Sequence, residues 1–338
     1  MSSDGDTAQF DAFLERGGLK SVTETARYTP LTGGVSSDIW RVDVGDRRFC
    51  IKRALAKLKV EADWFAPVSR NAFEVAWLEF AAATVPGSAP EVLAHDTDAG
   101  MFAMAFVPPE SARSWKAVLH AGETDRAFAG AVGRVLAAFH RDSAGRPELA
   151  GAFATDDNFH AIRLEPYLEA TARAHPDLAP RLAALVRTTA ETREALVHGD
   201  VSPKNILVGA DGPVFLDAEC AWWGDSAFDL AFCLNHFLLK CLWVPAARQG
   251  YLDCFAAMAA DYKAGLGADW AAAIEKRSAG LLPGLFLARI DGKSPVEYIT
   301  RDADKDLVRK AAREMLQTPP KSLDDIARTW ARHLGEHA

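Results

Sequence analysis

No C-x-x-C pair occurs among the five cysteines, Cys50, Cys220, Cys233, Cys241 and Cys254, and most of them sit in apolar stretches. This argues against zinc ligation and for reduced core thiols of a cytosolic protein. An excess of positive charge is also missing. With 38 Lys and Arg against 46 Asp and Glu, the net charge is −8 and the pI about 5.6. Nonspecific nucleic-acid binding needs a basic field and is not expected, although a local basic pocket remains compatible with this balance. Met1 to Gly17 begins polar and acidic, without the basic start and apolar core of a secretory signal, so export is not expected. The most apolar stretch, Ala227 to Ala247, is interrupted by Asp229, Asn235, His236 and Lys240, each costly in hydrocarbon, and it reads as a buried helix. Repeats and low-complexity tracts are lacking too.

What is present suits a folded chain with a sizeable core. Hydrophobic residues make up 49% and charged residues 25% of the sequence, and 338 residues favour two lobes sharing a cleft. Residues 39–44 alternate in polarity, Gly45-Asp46-Arg47-Arg48 makes a turn, and residues 48–52 alternate again, which predicts a hairpin. Gly33-Gly34 stands in a turn before it. Arg70 to Ala83 has helical spacing, with Phe73, Trp77 and Phe80 on one face and Glu74 beside them. Met101 to Val107 is a short apolar run stopped by Pro108-Pro109, a last strand followed by a connector. The lobe boundary is placed there, giving an N-terminal lobe of residues 1–106 and a C-terminal lobe of residues 107–338. Helices are expected over Phe128 to His140, over Leu178 to Leu196, and from about Ala227 to the end, with a strand-rich insert from Val197 to Asp217.

Chemistry concentrates in that insert. Residues 205–208 and 214–217 are apolar runs joined by Gly209-Ala210-Asp211-Gly212-Pro213, which carries a D-G turn signal. Antiparallel pairing would bring Asn205 and Asp217 together at the open end, beside the loop that carries Asp200. Carboxylate and amide oxygens of this kind suit Mg2+, which keeps its remaining positions for waters or phosphate oxygens. Phosphoryl transfer needs bound metal and a carboxylate to orient and deprotonate the acceptor. Lys52, ending a strand after a glycine-bearing turn, is placed to pair with α- and β-phosphates, with Glu74 on the next helix to hold it. Glu79 on the same helix is the competing partner.

His198-Gly199-Asp200 with Asn205 and Asp217 resembles the catalytic and metal segments of the aminoglycoside phosphotransferase and choline kinase superfamily, relatives of the protein kinases. Gly224 to Ala231 is similar to a segment that follows the metal motif there, so the resemblance spans about residues 30 to 235. Lys52-Arg53-Ala54-Leu55 with Trp64, and Asp217-Ala218-Glu219 through Gly224, look most like methylthioribose kinase. That family usually has serine where this chain has Asn205, and paired arginines are not found in the C-terminal half. The resemblance implies an α+β, two-lobe protein-kinase-like fold with a small antiparallel-sheet lobe and a larger helical lobe. ATP would lie between the lobes, its adenine near Met104 to Phe106 and its phosphates at Gly33, Gly34 and Lys52. Metal would be held by Asn205, Asp217 and Glu219, with Asp200 as catalytic base. Acceptor contacts are expected from Asp225, Arg289 and the segment from Asp157 to Tyr167.

Structural roles compete with these. A histidine two residues before the base is suited to bracing the loop, as His198 would. Asp229 is expected to hold that loop from the following helix, and Lys204 either reaches the transferring phosphate or is solvated. The acceptor is expected to be a small-molecule hydroxyl, such as a methylthioribose-like sugar. An aminoglycoside or macrolide kinase is the alternative, and its polycationic aminoglycoside acceptors favour an acidic pocket. A nucleotide-binding pseudokinase would lack at least one of Lys52, Asp200, Asn205 and Asp217, all of which are present.

Overall fold

The computed structural model describes residues 4–31, 37–57 and 67–336. Helix α1 (Asp4–Arg16) precedes strands β1 (Ala26–Leu31), β2 (Ser37–Val44) and β3 (Arg47–Ala54), helix α2 (Arg70–Thr84), and strands β4 (Val92–Asp96) and β5 (Met101–Ala105). The strands form one antiparallel sheet in the order β1-β2-β3-β5-β4. The expected hairpin is the β2–β3 pair, tightened so that Val44 faces Arg47 across Gly45-Asp46. Gly45 allows this at φ +56°, a conformation costly for any residue with a Cβ. On β3, Phe49 and Ile51 pack with Phe10, Phe13 and Leu14 of α1. The two-residue period then turns Lys52 to the other face, where it meets α2.

The larger lobe continues with β6 (Arg113–Ser114), α3 (Trp115–His120), α4 (Arg126–Ser143), α5 (Pro147–Ala152) and α6 (Asp156–Phe159). A π-helix (His160–Glu169) leads into α7 (Ala170–Ala174) and α8 (Ala179–Glu191). Strands β7 (Ala195–Val197), β8 (Ile206–Gly209), β9 (Gly212–Phe215) and β10 (Trp222–Gly224) come next. Helices α9 (Ala227–Trp243), α10 (Arg248–Ala264), α11 (Ala268–Asp291), α12 (Asp302–Gln317) and α13 (Leu323–Glu336) close the chain. The expected architecture, α+β with a small sheet lobe and a mainly helical remainder, is the one observed.

Two boundaries differ from expectation for identifiable reasons. Residues 195–197 leave the helix expected through Leu196 because they pair with β10, Val197 opposite Trp222 and Ala195 opposite Gly224. Helix α9 stops at Trp243 because Val244 precedes Pro245, and a residue before proline is pushed out of the helical region. Among the described residues no helix is long and apolar enough to cross a membrane. All five cysteines are buried free thiols.

Helix α2 belongs to the small lobe in sequence and to the large core in packing. Its Trp77 meets the His198 ring edge-on at 4.6 Å between centroids, and Phe139 of α4 at 5.2 Å. Apolar burial of a large aromatic side chain thereby positions the helix that carries Glu74 against the loop that carries Asp200.

Candidate active site

The β8–β9 hairpin builds the centre. Ile206 pairs with Phe215, and Gly209 with Gly212 across the tight turn Ala210-Asp211. At the open end Leu216 N donates to the Asn205 carbonyl at 2.9 Å, so Asn205 and the residue before Asp217 are tied together as the pairing requires. Asp217 sits at φ +66°, the only non-glycine positive φ among the described residues. Such a conformation is costly and marks a position held by its surroundings.

Asp200 is buried, and its Oδ2 gathers three donors. Asn205 Nδ2 donates at 2.8 Å, Arg163 Nη2 lies at 3.0 Å and Lys204 Nζ at 3.3 Å. Burial works to raise the carboxyl pKa, but Arg163 and then Lys204 outweigh it and hold the group below the usual range. Asp200 is therefore ionised and able to accept a proton.

The loop around Asp200 is fastened from behind. Both oxygens of Asp229, at the start of α9, accept backbone N–H groups at 2.8 Å, from His198 and from Gly199. His198 Nδ1 accepts from Asp200 N at 3.1 Å while its Nε2 meets the Leu216 carbonyl at 3.1 Å. That bridges the loop to the hairpin, and burial keeps the ring's pKa below its ordinary value. These are the bracing roles anticipated for both residues. Gly199 needs to be glycine: its φ is +77°, and a Cβ there would lie 2.6 Å from the Cys220 carbonyl oxygen.

Lys52 crosses from the sheet to join this centre. Its ammonium is 2.7 Å from Glu74 and in direct contact with Asp217. Glu74 is thus the lysine's partner among the two candidates on α2. One ammonium serves two carboxylates. Burial opposes the charge on Lys52, yet Asp217 and Glu74 outweigh it and raise its pKa. Burial likewise works upward on Asp217, where Lys52 and then Lys204 prevail and hold the carboxyl well below its usual range. Glu74, with burial dominant, is pushed up to about 7.

Asn205 and Asp217 fit a hard cation. The Asn205 amide nitrogen is committed to the Asp200 carbonyl and carboxylate, at 3.1 and 2.8 Å, which leaves the amide oxygen for a ligand. The Asp217 side chain is 23% exposed, so its carboxylate can be reached from outside. An amide and a carboxylate suit Mg2+, which takes few protein ligands and completes its shell with water or phosphate.

Other expected residues are placed differently. Glu219 accepts from Arg70 Nε at 2.9 Å in a buried pair across the lobes. Asp225 accepts from Arg277 Nε at 2.9 Å and from the Ala227 amide at 3.0 Å, which caps the start of α9 rather than facing Asp200. Burial pushes its carboxyl up to about 6. Met104 lies within the sheet opposite Cys50, and Phe106 follows β5 with its ring beneath the Arg48 guanidinium. Arg289 lies beside Lys204 in a small cavity. Gly33, Gly34 and Trp64 fall outside the described residues.

Arg163 and Arg70 are site residues that motif reasoning missed. Arg163 lies on the π-helix, within the segment expected to touch the acceptor. Pro166 there has no N–H for the Ile162 carbonyl, the partner an α-helix would require, and Arg163 Nη1 donates to that carbonyl at 2.6 Å. The proline in a helical stretch was the one available signal.

The model of the phosphotransferase enzyme family, APH, matches residues 27–272. A choline kinase from Cryptosporidium parvum Iowa II superposes with a TM-score of 0.55 at 10% identity, covering 98% of this chain and 95% of that one. A choline/ethanolamine kinase family protein from Mesorhizobium loti gives 0.49 at 14% identity, covering 98% and 100%. An aminoglycoside phosphotransferase from Alicyclobacillus acidocaldarius gives 0.45 at 14%, covering 97% and 92%. No curated protein is significantly similar in sequence.

Proposed function

The chain belongs to the phosphotransferase enzyme family, and from that premise we propose that it transfers the γ-phosphoryl group of ATP, with Mg2+, to a hydroxyl of a small molecule. The observation that carries this reading is the convergence of an ionised, braced Asp200 with Asn205, Asp217 and the Lys52–Glu74 pair. Asp200 would take the acceptor's proton as the acceptor oxygen bonds to the γ-phosphorus and the bond to the bridging oxygen breaks, releasing ADP. Lys52 would exchange its contact with Asp217 for the α- and β-phosphates while Glu74 keeps it extended. Asn205 and Asp217 would hold the metal, which when bound neutralises phosphate charge. Glu219, whose Oε2 accepts from Arg70, would join them through its other oxygen. Adenine would meet the connector at Met104 and Phe106, and Gly33-Gly34 would lie over the phosphates.

A methylthioribose-like sugar is the acceptor suggested by local resemblance, and an antibiotic is the alternative. An ATP-consumption assay over small sugars, amino alcohols, hydroxy acids and antibiotics would identify the class. In Asp200→Ala, turnover should fall by at least about 100-fold with nucleotide affinity nearly unchanged. Turnover at the wild-type rate would refute the assignment.

A further inference from the structure

Beside the catalytic loop lies a cavity of about 30 Å³ in which Lys116, Lys204, Lys240 and Arg289 face a single carboxylate, that of Glu297. The residues come from α3, the Asp200 loop, α9, α11 and the loop after α11. Glu297 is in contact with Lys116, and Lys204 leans 3.3 Å from Asp200, which joins the cavity to the base. Lys240 is 1% exposed, and no carboxylate among the described residues pairs with it. Its ammonium rests 4.8 Å from the ring centroids of Trp243 and Tyr298. Those rings offset part of its burial. The buried Arg289 Nε and Tyr298 hydroxyl have no hydrogen-bond partner among the described residues, while Arg289 Nη1 donates to the Tyr167 hydroxyl and to Ser294.

The electrostatics agree with the geometry. Burial, then the charge of Lys116, pushes the Lys240 pKa down to about 7. His236, one turn before Lys240 on α9, is held neutral by burial and by the surrounding cations, Arg289 foremost. A cluster of like charges at this depth is costly without a counter-ion. A polycationic acceptor would be repelled here, and a neutral sugar would leave the cost standing.

Resting on the kinase reading, we propose that the acceptor carries a carboxylate, held by Lys204, Lys240, Arg289 and the Tyr298 hydroxyl, so that its own hydroxyl lies beside Asp200. The substrate class is a small hydroxycarboxylic acid.

Calorimetric titration of the full chain tests this without relying on turnover. The probes are glycolate, glycerate, 3-hydroxybutyrate and serine, each against its amide, together with ethanolamine and inorganic phosphate. At least one acid should bind at least about 10-fold more tightly than its amide, as expected when a charge-assisted hydrogen bond is lost. Lys240→Met and Arg289→Gln should each weaken that acid by a similar factor and leave Mg-ATP affinity unchanged. Lys240→Met should melt no lower than wild type, since it removes a buried cation, so lost binding in that variant would not reflect unfolding. Equal binding of acid and amide, binding of phosphate or ethanolamine with no acid, or no binding at all would overturn the carboxylate assignment. If Mg-ATP itself fails to bind wild type, the kinase reading falls instead.

Discussion

At the scale of single residues, the site depends on balances that one substitution can tip. Asp200 is buried, which alone would raise its pKa, and Arg163 is the largest opposing influence. Removing that guanidinium in Arg163→Met leaves burial less opposed. The carboxyl then titrates higher, and the acid limb of the kcat/KM profile should move up by about one pH unit or more. An unmoved limb would show that Arg163 only supports the loop. Gly199→Ala carries two penalties, a left-handed backbone and a Cβ placed 2.6 Å from the Cys220 carbonyl oxygen. It should lose at least about 1–2 kcal/mol of stability in urea denaturation. An unchanged midpoint would mean that the backbone relaxes freely.

Secondary-structure elements meet this site through a few long contacts. Helix α2 brings Glu74 to Lys52, Trp77 to His198 and Arg70 to Glu219. Its sequence pattern announces a helix with an aromatic face, and that face is buried in the core of the larger lobe. Arg70 also donates to the Leu55 and Pro67 carbonyls at 2.7 Å, so it organises the chain on either side of it. Arg70→Met would leave Glu219 buried and unpaired and should cost about 3–5 kcal/mol in chemical denaturation. If Glu219 reaches metal instead, the same substitution would tighten magnesium-dependent nucleotide binding, which titration would show. On α9, Asp229 secures the Asp200 loop while His236 and Lys240 line the basic cavity, so one helix serves both the proposed base and the proposed acceptor pocket.

For the molecule as a whole, several carboxylates have pKa values lowered by cationic partners. Asp200 and Asp217 are two, and Asp291, between Arg309 and His175, is a third. A group whose pKa is depressed by folding contributes stability above its unfolded value and loses it as pH falls through the folded one. On their account the melting temperature should fall steadily below about pH 4, whereas Glu74 and Asp225, with carboxyls pushed up to about 7 and about 6, should make it decline as pH rises from about 5 to 7. A melting temperature unchanged down to pH 3 would show that these pairs contribute little to folding. The net charge of −8 is unevenly placed, since Lys116, Lys204, Lys240 and Arg289 gather around one small cavity beside the Asp200 loop.

The sequence by itself determined what short-range geometry can carry. Alternation over residues 39–44 and 48–52, and the apolar runs 205–208 and 214–217 about a D-G turn, specify hairpins, and the second of them brings Asn205 to the open end beside Leu216 and Asp217, with Asp200 on the loop just before. The fold class and the family were legible from those same motifs. Only the tertiary structure decided which charges face one another over distance. Arg70 and Glu219 are 149 residues apart, and Arg163 meets Asp200 from a π-helix that no periodicity announces. Lys240 looked like an interruption in an apolar stretch and proves to be part of a basic cavity assembled from separate helices. The physical reason is that a period describes which face of an element is buried. The neighbour on that face, and the charge it presents, depend on how the elements pack.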